Sequence, residues 1–212
     1  MDTFDLKKGT TTIGMVCKDG AILASETRST MGSMIAHKYA DKIYRLDENL
    51  GMTTAGLVGD DQALARYVKA EVELHRMKTG SFMTVRSAAS LTANILQSNR
   101  YTPFFVGLIV GGVDANGPAA YGLDAAGGMT SDNYVSIGSG SPFVLGVLED
   151  HYEEGMTVSE GSDLAIRALH SAMERDSASG GRAVVVQITG KGYLKLDEKE
   201  IEKRWAKILK TA

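Results

Sequence analysis

Apolar and polar residues alternate over residues 10–18 and again over 21–28, and the turn signal Lys18-Asp19-Gly20 lies between them, so the chain opens with a predicted β-hairpin. A second hairpin is expected over residues 42–46 and 51–56, joined by the polar turn Asp47-Glu48-Asn49. From Asp60 the period changes: Leu64, Tyr67, Val68, Val72 and His75 recur at helical spacing and predict an amphipathic helix that ends near Gly80. Residues 87–99 predict another helix. Residues 104–113, 119–123 and 133–137 read as strands, the first so continuously apolar that both its faces should be covered. Asn116-Gly117-Pro118 and Ala126-Gly127-Gly128 are the turns between them. Ser141-Pro142 predicts a helix capped by the serine with proline first. Thr157-Val-Ser-Glu160 is a capping box for a further helix, whose buried stripe is Ala165, Leu169, Ala172 and Met173. Residues 182–189 and 193–196 are the last strands, followed by a charged helix from Asp197.

Grouped in order, this is four strands, two helices, three strands, two helices, two strands and one helix, with no linker or internal repeat. Such a run suits an α+β fold in which helices cover the outer faces of two stacked sheets, a four-layer αββα sandwich. A length of 212 residues with 43% hydrophobic content and three prolines fits one domain with a sizeable core. A net charge of −3 gives no global field to attract nucleic acid or an anionic membrane. No apolar stretch reaches a spanning length, and residues 1–9 lack the apolar block of a secretory signal, so a soluble cytoplasmic protein is expected. The single cysteine, Cys17, excludes an internal disulfide. His37, His75, His151 and His170 have no ligand spacing, so neither metal nor cofactor is expected.

Gly9-Thr10-Thr11-Thr12 stands where the polar leader meets the first strand. The threonines read as good strand formers behind a flexible glycine. They also read as an N-terminal nucleophile: cutting the Gly9-Thr10 bond would give Thr10 a hydroxyl nucleophile and a free α-amine, whose ordinary pKa of about 8 suits proton transfer near neutrality. Gly138-Ser139-Gly140-Ser141 lacks the ending of a phosphate loop, and Cys17 on the first strand reads as a small packed side chain.

With these stand Ser25-Glu-Thr-Arg28, His37-Lys, Lys42-Ile, Ala55-Gly-Leu-Val-Gly-Asp60, Asp124-Ala-Ala-Gly-Gly128, Gly138-Ser-Gly-Ser-Pro142 and Arg175-Asp-Ser-Ala-Ser-Gly-Gly181. In this order and spacing, over about residues 9–190, they resemble a proteasome β subunit of the archaeal type. The resemblance implies the N-terminal nucleophile hydrolase fold and a threonine endopeptidase. It also implies a removable propeptide of residues 1–9 ahead of one catalytic domain, 10–212. By position, Thr10 is similar to the nucleophile, Glu26 and Lys42 to the charged pair beside it, Gly56 to the oxyanion donor, and Ser139, Asp176 and Ser179 to the supporting cluster. Lys42 as an ammonium would favour proton loss from the hydroxyl, with Glu26 compensating it; either Lys42 or the α-amine could take that proton. Ser29, Ala40, Tyr44, Thr54, Val58 and Gln62 are similar to the specificity pocket. None of them is charged, so cleavage after neutral apolar or aromatic residues is expected.

The implied partners are α subunits and other β subunits, in seven-membered rings forming a four-ring stack, together with a regulatory ATPase and unfolded polypeptide substrates. An HslV-like threonine peptidase with six-membered rings is the enzyme alternative. A catalytically silent ring subunit is the non-enzyme alternative.

Overall fold

The computed structural model describes residues 9–211. The leader reading falls on residues 1–8, outside the described residues, except at Gly9. Two five-stranded antiparallel sheets stack face to face. Into the first go β1 (Thr11–Cys17), β2 (Gly20–Glu26), β10 (Tyr134–Gly138), β11 (Ala183–Thr189) and β12 (Gly192–Lys195), in the order β10-β1-β2-β11-β12. The second contains β5 (Ile43–Arg45), β6 (Leu50–Gly56), β7 (Val106–Asp114), β8 (Gly117–Leu123) and β9 (Met129–Ser131), in sequence order. A separate hairpin pairs β3 (Ser29–Met31) with β4 (Met34–His37).

Helices α1 (Val58–Thr79) and α2 (Val85–Ser98) cover the second sheet. On the first lie α3 (Ser141–His151), α4 (Val158–Arg175) and α5 (Glu198–Thr211). This is the expected αββα sandwich, and strand alternation builds it. On β2, Ile22 and Ala24 join the apolar cluster under α3, α4 and α5, while Leu23 faces the other sheet with Ile109, Val186 and Ile188. On β7, Leu108 and Val110 pack beneath α1 and α2. The sheets approach closely because glycines face the opposite layer: a Cβ on Gly51 would lie 2.7 Å from Leu23 Cδ1, and one on Gly122 2.8 Å from Val135 Cγ1.

The sequence pattern omitted β3, β4 and β9. These are three or four residues long and mostly exposed, too short for a period to register. Two local readings are corrected. Tyr67 is 56% exposed, because α1 rolls onto its sheet through Asp61, Leu64, Ala65, Val68 and Val72. Ser141 is the first residue of α3 rather than its cap. That place belongs to Gly140, which packs where a Cβ would collide with the Thr11 hydroxyl. The capping box of α4 forms as expected, with Thr157 N–H donating to Glu160 Oε2 at 2.8 Å. Gly80 ends α1 in the left-handed conformation.

Candidate active site

Thr10 enters the fold at the end of β1, between the ends of β10 and β2, where Thr11 pairs with Gly138 and Thr12 with Ser25. Two glycines permit this seat. A Cβ at Gly138, whose φ is +119°, would collide with the Thr10 carbonyl, and one at Gly9 would collide with Ala178. Thr10 is buried, and its hydroxyl donates to the Gly9 carbonyl at 2.7 Å. The Gly9 N–H donates in turn to Thr30 Oγ1 at 3.1 Å.

Glu26, at the end of β2, is fully buried and collects four N–H donors. Oε1 accepts from Thr11 N at 3.1 Å and from Lys42 Nζ, and Oε2 from Arg28 N at 2.6 Å and Gly180 N at 3.1 Å. Lys42, ahead of β5, also donates to the Arg28 carbonyl at 2.5 Å. An ammonium has three donors, and these two oxygens hold two of them. Burial lowers the Lys42 amine below the ordinary lysine range against the attraction of Glu26; burial likewise pushes the Glu26 carboxyl up, opposed first by Lys42.

On the other side of β1, Asp176 stands at the C-cap of α4 and gathers two hydroxyls on one oxygen: Ser139 donates to Oδ2 at 2.5 Å and Ser179 at 2.6 Å. Ser139 Oγ accepts from Thr10 N at 3.3 Å, and Ser179 Oγ lies 2.6 Å from Thr11 Oγ1. The structure therefore brings Thr10, Glu26, Lys42, Ser139, Asp176 and Ser179 together at residues 10 and 11, from positions up to 169 apart in sequence.

A cavity of about 800 Å³ opens at Thr10. Gly56, the last residue of β6, lies on its wall, where a Cβ would collide with the Phe105 carbonyl. Five of the six expected pocket residues line it: Ser29, Ala40, Tyr44, Val58 and Gln62. Thr54 does not; it is 1% exposed and sits against Tyr44, behind the cavity surface. The six residues are uncharged, but the cavity is not, since Asp61, Lys42, Arg45 and Arg66 also line it. Helical spacing from Val58 and Gln62 could have flagged Asp61. Thr30, the Arg28 carbonyl and the Gly180 N–H were missed because a backbone group or a single hydroxyl leaves no signature in a sequence. Cys17 is buried away from this cluster, and its thiol is pushed up to about 12, first by burial and then by Asp19 and Glu160.

Among the described residues, no helix is long and apolar enough to cross a membrane, and no cluster of acids, histidines or cysteines could hold a metal ion. The Proteasome family, described as proteasome subunit, matches residues 6–188. A proteasome subunit beta of Methanosarcina thermophila is 52% identical over 207 residues, covering 97% of this chain and 99% of that one. One from Methanothermobacter thermautotrophicus is 50% identical, covering 93% and 94%, and one from Archaeoglobus profundus is 51% identical, covering 92% of each. With the sandwich and the convergence on Thr10 already in place, these matches settle the lineage: the chain belongs to the proteasome subunit family, as a β subunit of archaeal type.

Proposed function

We propose that Thr10 is the nucleophile of a threonine endopeptidase that first processes its own chain. One observation carries this reading: the Thr10 hydroxyl stands 2.7 Å from the carbonyl oxygen of Gly9, at the point where the Glu26–Lys42 pair and the Asp176 cluster meet. In the precursor, Oγ1 attacks the Gly9 carbonyl carbon while its proton leaves through Lys42 or water. The C–N bond to Thr10 breaks, the nitrogen takes up a proton as the new α-amine, and the resulting ester is hydrolysed by water. Residues 1–9 are released.

In the mature chain the same hydroxyl attacks a peptide carbonyl. The α-amine or Lys42 accepts the hydroxyl proton and returns it to the leaving amine. Gly56 N–H stabilises the oxyanion, and Ser139 holds the α-amine through the contact it now makes with Thr10 N. Glu26 keeps the Lys42 cation compensated in a buried place.

The membership supports assembly with α subunits and further β subunits in seven-membered rings of a four-ring stack, in the cytoplasm. A regulatory ATPase feeds unfolded polypeptides to sites enclosed from folded proteins. The test is intact mass and peptide turnover of Thr10→Ala beside Thr10→Ser. Alanine is expected to keep residues 1–9 and cleave nothing, whereas serine, which retains a hydroxyl, loses them. A Thr10→Ala chain that still sheds residues 1–9 and cleaves peptides overturns the reading.

A further inference from the structure

Self-cleavage needs more than a nucleophile beside a carbonyl, because the residue that carries the carbonyl is a glycine. With no Cβ, Gly9 can turn about both of its backbone bonds, and an intramolecular attack is fast only when its target is kept in one place. Packing against Ala178, which a Cβ would strike, and the Thr10 hydroxyl on the carbonyl oxygen hold one end of Gly9. The other end is held by Thr30, whose Oγ1 accepts the Gly9 N–H at 3.1 Å. Gly9 is buried, so without that oxygen its N–H would be a donor cut off from water. The Glu26 and Asp176 groups bond to residues 10 and 11, on the amine side of the scissile bond. Thr30 bonds to residue 9, on the acyl side.

Thr30 also stands apart in its own hairpin. Met31 beside it is 57% exposed, every residue of β4 is exposed, and Thr30 alone of the two strands is buried. The register shows how its side chain is aimed. Ser29 pairs with His37 but Thr30 with Ile35, so one step on β3 spans two on β4, with Ala36 as the extra residue. Such a bulge bends a strand pair and redirects a side chain. In this otherwise exposed hairpin, the residue turned inward next to the irregularity is the one that meets Gly9.

We infer that Thr30 is a positioning residue for self-cleavage: its hydroxyl fixes the acyl side of the Gly9–Thr10 bond while the Glu26 and Asp176 groups fix the amine side. The inference rests on the threonine-peptidase reading of Thr10 and adds to it the group that presents the chain's own carbonyl. Because Thr30 acts through one accepted hydrogen bond, serine can replace it and valine, which has the shape of threonine without the oxygen, cannot.

The experiment follows release of residues 1–9 by intact mass in the assembling full-length chain, for the parent, Thr30→Val and Thr30→Ser. The valine variant is expected to process at least roughly tenfold more slowly than the parent, the scale of one lost hydrogen bond, and the serine variant within about threefold of it. A second measurement reads hydrogen exchange at the Gly9 amide in Thr10→Ala, which keeps residues 1–9 attached. That amide should be protected, and adding Thr30→Val should expose it. Processing of Thr30→Val at the parent's rate overturns the inference, as does a serine variant as slow as the valine one, or a Gly9 amide that exchanges as fast as in an unfolded peptide. In each case release of residues 1–9 by the parent leaves the peptidase reading intact. A parent that never releases them removes both. If Thr30→Val does not assemble, exchange at Gly9 in Thr10→Ala decides alone.

Discussion

On the β2 side of Thr10, Glu26 and Lys42 are buried and bonded wholly to each other and to backbone groups; on the β10 side, Ser139 is exposed, Asp176 is half-buried, and a single carboxylate oxygen organises two hydroxyls. Both groups hold residues 10 and 11, one through Thr11 N and the other through Thr10 N and Thr11 Oγ1. The first is a compensated charge pair in a dry place, where removing one member strands the other. The second is a hydroxyl network that runs from fully buried Ser179 to exposed Ser139, and at that outer end solvent can replace a missing oxygen. The fold thus keeps its charge pair inside and places its one exposed hydroxyl, Ser139, at Thr10 N.

Lys42→Met breaks the comparison hardest. With Glu26 left as an unpaired buried acid, unfolding free energy should drop by roughly 3–5 kcal/mol, and processing should stop. Urea unfolding and intact mass read the two effects, and a variant as stable as the parent would show that the pair is not a unit. Asp176→Asn should cost less, about 1.5–3 kcal/mol, the usual worth of hydrogen bonds to a charged group, and should slow turnover without abolishing processing. Equal losses in the two variants would erase the distinction.

The pH profile sharpens it further. If a neutral Lys42 takes the Thr10 proton, turnover rises as pH climbs through a value below the ordinary lysine range and is lost as pH falls back through it. Glu26→Gln removes the anion that supports the ammonium, so the rising limb should move to lower pH. A limb that does not move assigns the base to the α-amine. The smallest effect concerns Cys17. Its thiol stays protonated in the folded chain, so iodoacetamide at pH 8 should leave the native protein unmodified and label it in urea. The stability this raised value contributes is full below the ordinary thiol range and is lost as pH rises towards about 12, which unfolding curves on the alkaline side would show.

Long elements were legible in the sequence because each repeats its period enough times to be counted. The β1–β2 hairpin, the unbroken apolar run of β7 and the capping box of α4 all stand where the pattern puts them. The exposed β3–β4 hairpin carries no such pattern. Site residues with titratable or nucleophilic side chains, such as Thr10, Glu26, Lys42 and Asp176, could be named from motifs. Thr54 was assigned to the pocket and lies behind Tyr44 rather than on its surface, because only tertiary packing decides which of two touching side chains reaches the cavity.

The order of strands and helices, the glycines that admit Thr10, and the residue types able to do acid, base and nucleophilic work are all properties of the chain as written, since they depend on local periodicity and covalent chemistry. Folding alone decided which of those groups meet: that Asp176 would gather two serines, that Glu26 would be closed off by four N–H donors, and that Asp61 would face the same cavity as Thr10. Hydrogen bonds and burial act over a few ångströms in space, and a linear sequence does not record such distances between residues far apart along it.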